Sequence, residues 1–296
     1  MADFTPTSVF LAEQLRHVIN LAFEETFPAL KARSFIPVNS TVPETSETVL
    51  ARIWGSYGEA KIINSSADDL PSVTIGQKEA SLNIKTIGCS FEYSVLDLKR
   101  SQVTGVDLDG RMAIAARQLI ETQIDKLATD GDERYGLKGL LNNTDVKDIK
   151  LSNWFDEKDK DKPVKNSKQI LSDISQMVTS VAAMTNNVMI PDTLILPIKH
   201  YAHIALTPFS DLGQMTILNY ILTNNPYIKN IDSWVHLKDK CIFYPRTPQA
   251  LEMFIPMDFV TEPPQAVGLS FKVQCHSRFG GVQIYTPKAC AYGVGI

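Results

Sequence analysis

The residues best suited to chemistry are two histidines on one predicted helix and an adjacent cysteine and histidine in a predicted strand. His200 and His203 are three residues apart, which places them on one helical face and could begin a metal site. No glutamate stands beside them as in the His-Glu-x-x-His motif, and no third ligand is suitably spaced. Cys275 and His276 are adjacent, so in a strand their side chains point to opposite faces and cannot form a dyad. Packing or surface positions are the plainer interpretation of all four residues.

Two other stretches carry only weak chemical signals. Residues 55–61 faintly resemble a phosphate-binding loop, but they lack the Gly-Lys-Ser/Thr ending and no helix is predicted after them. The acids at 68–69 and 130–133 could bind a cation weakly, but a solvated turn is the better explanation of them. The sequence therefore predicts no catalytic, cofactor-binding or metal-binding residues, and it favours a structural or binding protein over an enzyme.

Composition limits the partners of the chain. Its 296 residues are 44% apolar, and its net charge is −4 without a cluster of basic residues, so no electrostatic attraction to phosphates is indicated. The four cysteines, Cys89, Cys241, Cys275 and Cys290, stand singly, which suggests reduced, buried thiols in the cytosol. No basic leader precedes an apolar segment, and no apolar run approaches the roughly 20 residues of a membrane span. We expect a soluble intracellular protein that does not bind membranes.

A long amphipathic helix is the central predicted element. It begins near Asp107 or Asp109, either of which can cap it, and Gly131 ends it by taking the left-handed conformation. Its predicted buried stripe consists of Met112, Ala116, Leu119, Ile120, Gln123, Ile124 and Leu127. Its predicted solvated face consists of Arg111, Arg117, Glu121, Asp125 and Lys126. A glycine-rich turn with an apolar tail follows at 135–142.

The region before this helix predicts an arm and a hairpin. Residues 7–26 have helical periodicity and are followed by an extended strip, which must lie either on its own subunit or on a neighbour. Strands are predicted at 48–54, 59–63 and 80–93, with a polar tip between the second and third. An isolated two-stranded ribbon is marginally stable in water. The hairpin therefore packs against another subunit or against a third strand of its own chain.

The region after the long helix predicts an α+β unit. Residues 145–165 contain six acids and six lysines and are expected to form an exposed loop. Ser167 is the predicted cap of a second helix, and the remaining elements are a strand at 193–196, helices at 198–206 and 215–222, and strands at 228–235, 241–244, 251–255, 269–278 and 282–285.

Several short motifs in this order carry a resemblance to a known family. They are Gly131 with Gly139-Leu140-Leu141-Asn142, Phe254-Ile255-Pro256, Pro263-Pro264-Gln265, Val267-Gly268-Leu269, Arg278-Phe279-Gly280-Gly281-Val282 and Tyr285-Thr286-Pro287-Lys288-Ala289. Together with the order of elements, they resemble the major capsid proteins of tailed bacteriophages, with the Hong Kong 97-like fold that encapsulin shells also use. The resemblance extends over nearly the whole chain.

The resemblance implies an α+β capsid fold with five segments. They are an N-terminal arm (1–46), an extended β-hairpin loop (47–93), a peripheral domain with the long spine helix (94–166), an axial domain (167–265) and peripheral strands (266–296). It also implies a self-assembling protein whose hexamers and pentamers form an icosahedral shell around double-stranded DNA, without sequence-specific binding and without cofactors.

The same resemblance implies where the protein acts and with what. The protein is then part of the virion, assembles in the host cytoplasm, and has portal, scaffolding and decoration proteins as candidate partners. The alternatives are an encapsulin-like nanocompartment shell and a cytoplasmic α+β enzyme.

Overall fold

The structure is a computed structural model and describes residues 30–62, 70, 72–104, 108–156, 163–210 and 215–296. Its helices and strands alternate irregularly along the chain, which confirms the predicted α+β class. The helix predicted over 7–26, the acids at 68–69 and the first candidate cap of the long helix, Asp107, lie outside the described residues. No helix within the described ranges has the length and apolar character that crossing a bilayer requires.

The helices and strands have the following bounds. The helices are α1 (Ala32–Phe35), α2 (Val95–Thr104), α3 (Leu108–Asp130), α4 (Ser167–Thr185), α5 (Ile198–Leu206) and α6 (Ile217–Asn224), with short 3₁₀ turns at Glu133–Tyr135 and Pro287–Ala289. The strands are β1 (Val38–Asn39), β2 (Thr48–Tyr57), β3 (Thr74–Asn83), β4 (Lys85–Ser94), β5 (Lys147–Lys150), β6 (Thr193–Leu196), β7 (Asn230–Ser233), β8 (Lys240–Tyr244), β9 (Leu251–Phe254), β10 (Met257–Thr261), β11 (Gln265–Val267), β12 (Ser270–Phe279), β13 (Val282–Ile284) and β14 (Ala291–Val294).

The predicted hairpin exists, but its strands differ from the prediction. β2 pairs antiparallel with β3 from Thr48 opposite Asn83 to Tyr57 opposite Thr74, and these two strands form a sheet of their own. Residues 59–62 are not in a strand, and the run predicted over 80–93 is two strands that meet at Ile84. The outer part of the ribbon thus has no third strand among the described residues.

Ile84 marks a change of face within that run. Up to Ile84, the buried side chains stand at even-numbered positions, Leu82 and Ile84. In β4, the buried Tyr93 and its partly buried neighbours stand at odd-numbered positions. The Ile84 N–H donates to the Glu47 carbonyl at 2.8 Å, which extends the pairing with β2 by one residue before β4 begins. Because side chains alternate in a strand, this phase change turns the chain from one sheet into another.

The second sheet joins β4 to the C-terminal part of the chain. β12 lies between β4 on one side and β10 and β11 on the other, and the β4–β12 ladder runs from Lys85 opposite Phe279 to Ser94 opposite Ser270. The spine helix α3 packs across β4 and β12. β10 and β11 were not predicted from the sequence, because their side chains are mostly exposed and show no clear apolar alternation.

The buried stripe of α3 is displaced from its predicted position. Ala116, Ile120, Ile124 and Leu127 are buried as expected, but Leu119 is 56% exposed and Gln123 is also exposed. Asp125, predicted to be solvated, is only 2% exposed. The reason is that the last two turns of α3 are covered on a second side by α1, so burial there is not confined to one stripe.

This displacement changes which large aliphatic side chain matters for stability. Ile124→Ala is expected to lower the free energy of unfolding by about 2–5 kcal/mol, since Ile124 is 1% exposed and its removal leaves a cavity. Leu119→Ala, the matched control on the exposed side, should cost under about 0.5 kcal/mol. Urea unfolding of the unassembled subunit measures both. Equal losses would show that α3 presents a different face to the sheet.

The glycine-rich turn after α3 is tightly folded against the end of the helix. Gly131 has a φ of +67°, which confirms that it ends α3 in the left-handed conformation. The N–H groups of Leu140 and Leu141 donate back to the carbonyls of Ala128 and Thr129 at 2.7 and 2.9 Å. Carbonyls in the last turn of α3 thereby gain partners that lie outside the helix.

A five-stranded sheet forms the core of the middle region. Its strand order is β5-β14-β8-β6-β7, and α4, α5 and α6 pack their apolar faces around it. β6 and α5 coincide with the predicted strand and helix. α6 begins at Ile217, two residues later than predicted, because the Thr216 hydroxyl accepts from Asn219 N. The cap of α4 is Asn166 rather than Ser167, and its N–H donates to the Gln169 carboxamide at 2.9 Å.

The loop predicted over 145–165 is partly structured. Residues 147–150 form edge strand β5, which pairs in parallel with β14, and Ile149 is buried. Trp154 is 1% exposed, and its indole N–H donates to Asp173, which also binds Lys165. The expectation of an exposed loop was wrong here, because the many charged residues obscured two apolar residues that are buried, Ile149 and Trp154. Residues 157–162 lie outside the described residues.

Candidate functional site

The two histidines are packed against aromatic and hydroxyl side chains. His200 packs edge-on against Trp154 and Phe155, with ring centroids 5.3 and 5.0 Å away, and borders a cavity of about 660 Å³. Burial lowers the pKa of His200 to about 4, so it is neutral at pH 7. His203 instead pairs with Thr207, 3.2 Å from its hydroxyl. In the described part of the chain, no group of three or more His, Cys, Asp or Glu side chains could hold a metal ion.

The other residues that the sequence marks as candidates for chemistry are also apart from one another. Cys275 is buried, whereas the His276 ring points the other way and lies 3.7 Å from Glu262. Residues 55–57 continue β2, and no helix follows within 58–62. Asp132 accepts from the N–H of Arg134 at 3.0 Å and so shapes the turn after α3. Among the candidates that the structure describes, none is brought together with another into a reactive constellation.

A buried carboxylate does join three parts of the chain. One oxygen of Asp125 accepts from the N–H groups of Lys31 and Ala32 at 3.1 and 2.7 Å. The other lies 2.9 Å from both the indole nitrogen of Trp234 and Nε2 of His236. Three N–H donors and the His236 ring thus surround a carboxylate that is almost fully removed from water. A buried charge is tolerated only when it is satisfied in this way.

Side-chain contacts of the arm segment, which we define as residues 31–36, strengthen this junction. The Arg33 guanidinium forms a bidentate ion pair with Glu121, at 3.0 and 2.7 Å. The hydroxyl of Tyr244 donates to the Phe35 carbonyl at 2.9 Å, and the Phe35 ring packs edge-on against Trp234 at 5.3 Å. The sequence left open whether the strip after the first helix lies on its own subunit or on a neighbour. Its arm segment lies on its own subunit.

The hairpin presents large apolar side chains to solvent. Leu50, Arg52 and Trp54 alternate along one face of β2, and Glu79 and Ile75 lie on the same face of β3. We call these five residues the hairpin face. Leu50, Trp54 and Ile75 are 57%, 65% and 66% exposed. Only Arg52 and Glu79 pair across it, at 3.3 Å. Apolar side chains grouped on an exposed ribbon mark an interaction surface.

Comparison with known proteins then decides the family. A model of a protein family described as major capsid protein matches residues 58–296. The chain belongs to the major capsid protein family. A comparison with curated proteins gave no match. The family assignment favours a capsid shell protein over both the nanocompartment and the enzyme alternatives.

Several solved structures share the fold of this capsid protein at low sequence identity. The capsid of Myoviridae phage XM1 matches with a TM-score of 0.82 at 19% identity, covering 98% of this chain and 100% of that one. A chain of Mycobacterium phage Bobi matches at 0.68 and 13% identity, with 100% and 99% covered. A virus-like particle from Pyrococcus furiosus matches at 0.59 and 17%, with 88% and 90% covered. The predicted Hong Kong 97-like capsid fold is confirmed.

The family assignment carries coarse functional conclusions. A capsid protein is a structural component of the virion and forms a shell of many copies. Sequence reasoning found this family but missed the carboxylate junction, because Asp125 was placed on the solvated face. Trp54 and Leu50 were visible in the sequence, but their exposure followed only from the strand register.

Proposed function

We propose that this capsid protein assembles as hexamers and pentamers into an icosahedral shell around the double-stranded DNA of a tailed phage or prophage, and that it has no enzymatic activity. The observation that supports this most is the family match over 58–296. The exposed apolar hairpin face adds a physical reason for assembly, because a monomer leaves it in water. Weak contacts repeated around a closed shell add up to a stable assembly.

The proposal assigns a structural role in the shell to each segment of the chain. Residues 47–93 form an extended loop that lies over a neighbouring subunit, and residues 1–46 form an N-terminal arm. Residues 94–166 and 266–296 build a peripheral domain on the spine helix, and residues 167–265 build an axial domain around the capsomer centre. The packing of the spine helix α3 on β12 supports the peripheral grouping, and the antiparallel pairing of β4 with β12 joins the base of the loop to the same C-terminal strands.

Charge supports DNA as the cargo rather than as a tightly bound ligand. A net charge of −4 avoids strong electrostatic attachment of packaged DNA to the wall. Portal, scaffolding and decoration proteins are the proposed partners, and the host cytoplasm is the proposed site of assembly. Expression of the chain alone and with its neighbouring genes, followed by electron microscopy, tests whether shells form and which partners they need.

The hairpin face gives the sharpest test of the assembly proposal. Replacing Leu50, Trp54 and Ile75 together by serine is expected to abolish shells, because the intermolecular contact loses its apolar area. The variant subunit should unfold in urea at nearly the same midpoint as the parent, since these side chains are exposed in the monomer. Electron microscopy and sedimentation measure assembly.

Two further variants complete this test. Arg52→Ser lies on the same face and removes only an exposed ion pair, so it should still form shells. Deletion of residues 56–78 should leave a folded subunit that does not assemble. Normal particles from the triple variant or from the deletion would contradict the intermolecular role of the hairpin.

A further inference from the structure

Two cysteines that are far apart in the sequence face each other across one ladder. Cys89 of β4 is directly opposite Cys275 of β12. Both belong to the face of the sheet that packs beneath α3, where Cys275 is buried and Cys89 is partly exposed. The Cys89 thiol donates to the Ala116 carbonyl at 3.7 Å, so it points toward α3 on the face of the sheet that also carries Cys275. The pair is free in this structure.

The backbone geometry of this pair is compatible with a covalent bond. Directly opposite residues of an antiparallel ladder have Cα atoms about 4.5–5.5 Å apart. A disulfide requires a Cα separation of about 4.4–6.8 Å. Because the two side chains lie on one face at directly opposite positions, bond formation needs a rotation of the side chains rather than a movement of the strands. We propose that Cys89 and Cys275 are a dithiol modification site that small-molecule disulfides oxidise to an intrachain disulfide.

The chemistry is thiol–disulfide exchange in two steps. The partly exposed Cys89 loses its proton to solvent and attacks a sulfur of the oxidant RSSR, which forms a mixed disulfide and releases RS⁻. Cys275 then loses its proton and attacks the Cys89 sulfur, which forms the protein disulfide and releases the second RS⁻. Both thiolates take up the released protons as RSH. The protein loses two electrons and two protons, and the oxidant gains them.

The surroundings of the two thiols determine how fast they are oxidised and why the other cysteines do not react. Burial raises the pKa of both the Cys89 and the Cys275 thiol, so the reactive thiolates are scarce near pH 7 and oxidation should speed up as pH rises. Cys241 is fully buried in the other core cluster, with its pKa raised to about 12, and its sulfur faces Met177. Cys290 is also buried and its thiol is not reactive near pH 7, because burial raises its pKa to about 12.

Such a bond would join the base of the hairpin to the C-terminal strand. It closes a loop that spans more than half of the chain, and disulfides that close long loops stabilise most in the chain-entropy description. If the chain acts in a virion, as proposed above, the site stays reduced in the cytosol and meets oxidants after release. The oxidation itself does not depend on assembly.

The test treats the folded, unassembled chain with 4,4′-dithiodipyridine at pH 7 and at pH 8.5, traps remaining thiols with an alkylating agent, and maps the peptides by mass spectrometry. We expect a linked Cys89–Cys275 peptide, an intact mass lower by two hydrogen atoms, and faster formation at the higher pH. The oxidised chain should melt several degrees higher than the reduced chain, and a reductant should remove the difference.

Two variants distinguish a Cys89–Cys275 disulfide from other products of the oxidation. Cys290→Ser should retain the link, and Cys275→Ala should leave Cys89 as a mixed disulfide with the reagent. Stable adducts on both cysteines of the parent chain, a link that involves Cys241 or Cys290, or no reaction at Cys89 in the folded chain would overturn the proposal. Its failure would leave the assembly proposal unaffected, since that is tested by the hairpin variants.

Discussion

Asp125→Ala is expected to lower the free energy of unfolding by about 3–5 kcal/mol, the largest loss we predict for a single side chain. Its carboxylate is 2% exposed and accepts from two backbone N–H groups and the Trp234 indole, with His236 2.9 Å away. Alanine leaves these donors buried without an acceptor, and each such donor carries its own desolvation cost. Urea unfolding of the unassembled subunit measures the loss.

Two variants test whether the junction itself causes this effect. Asp130→Ala, at the exposed end of the same helix, should change stability by under about 0.5 kcal/mol. Asp125→Asn keeps one accepting oxygen and should fall between Asp125→Ala and the parent. Tryptophan fluorescence should shift in Asp125→Ala if Trp234 loses its partner. A loss no greater than that of Asp130→Ala would mean that the arm segment does not depend on this carboxylate.

Gly139→Ala is expected to cost about 3 kcal/mol or more, because the added methyl group has no space. A Cβ at this position would lie 2.6 Å from the Thr129 carbonyl oxygen and 2.7 Å from the Asp130 carbonyl carbon, and it would also collide with the N–H of Gly131. These are backbone atoms at the end of α3, so they cannot rotate away as a side chain can. The turn must open, which breaks its hydrogen bonds to Ala128 and Thr129.

Gly268→Ala is the matched control for this prediction. Gly268 has a φ of +62°, but no atom lies within 4 Å of the position of its missing Cβ. Alanine there should cost only about 1 kcal/mol, the ordinary penalty of the left-handed conformation. Thermal and urea unfolding compare the two variants. If Gly268→Ala lowered stability more than Gly139→Ala, the cost of alanine at these glycines would come from backbone conformation rather than from the collision at the turn.

Helices and strands whose ends and apolar residues follow a local pattern were predictable from the sequence. The ends of α5 and β6 and the glycine that ends α3 follow from local periodicity and capping. The order of motifs was enough to identify the capsid fold. These features depend on neighbours in the sequence, so the information needed to read them is local.

Features that depend on distant segments could not be predicted in this way. Asp125 is buried because α1 and Trp234 cover the far side of α3, and nothing within the helix sequence indicates that cover. β5 was not predicted, because its lysines point outward and Ile149 is its one residue that faces the core. Cys89 and Cys275 looked isolated because their pairing requires the β4–β12 register. In each case the decisive neighbour is many residues away along the chain.

The positions of β12 and β14 in their sheets have a consequence for the timing of folding on the ribosome. β12 pairs with β4, β10 and β11, and β14 pairs with β5 and β8, so each is synthesised after every strand that it joins. Until they emerge, the unpaired edges of β4, β5 and β8 are open to wrong partners. Nascent chains therefore cannot complete either sheet during most of translation.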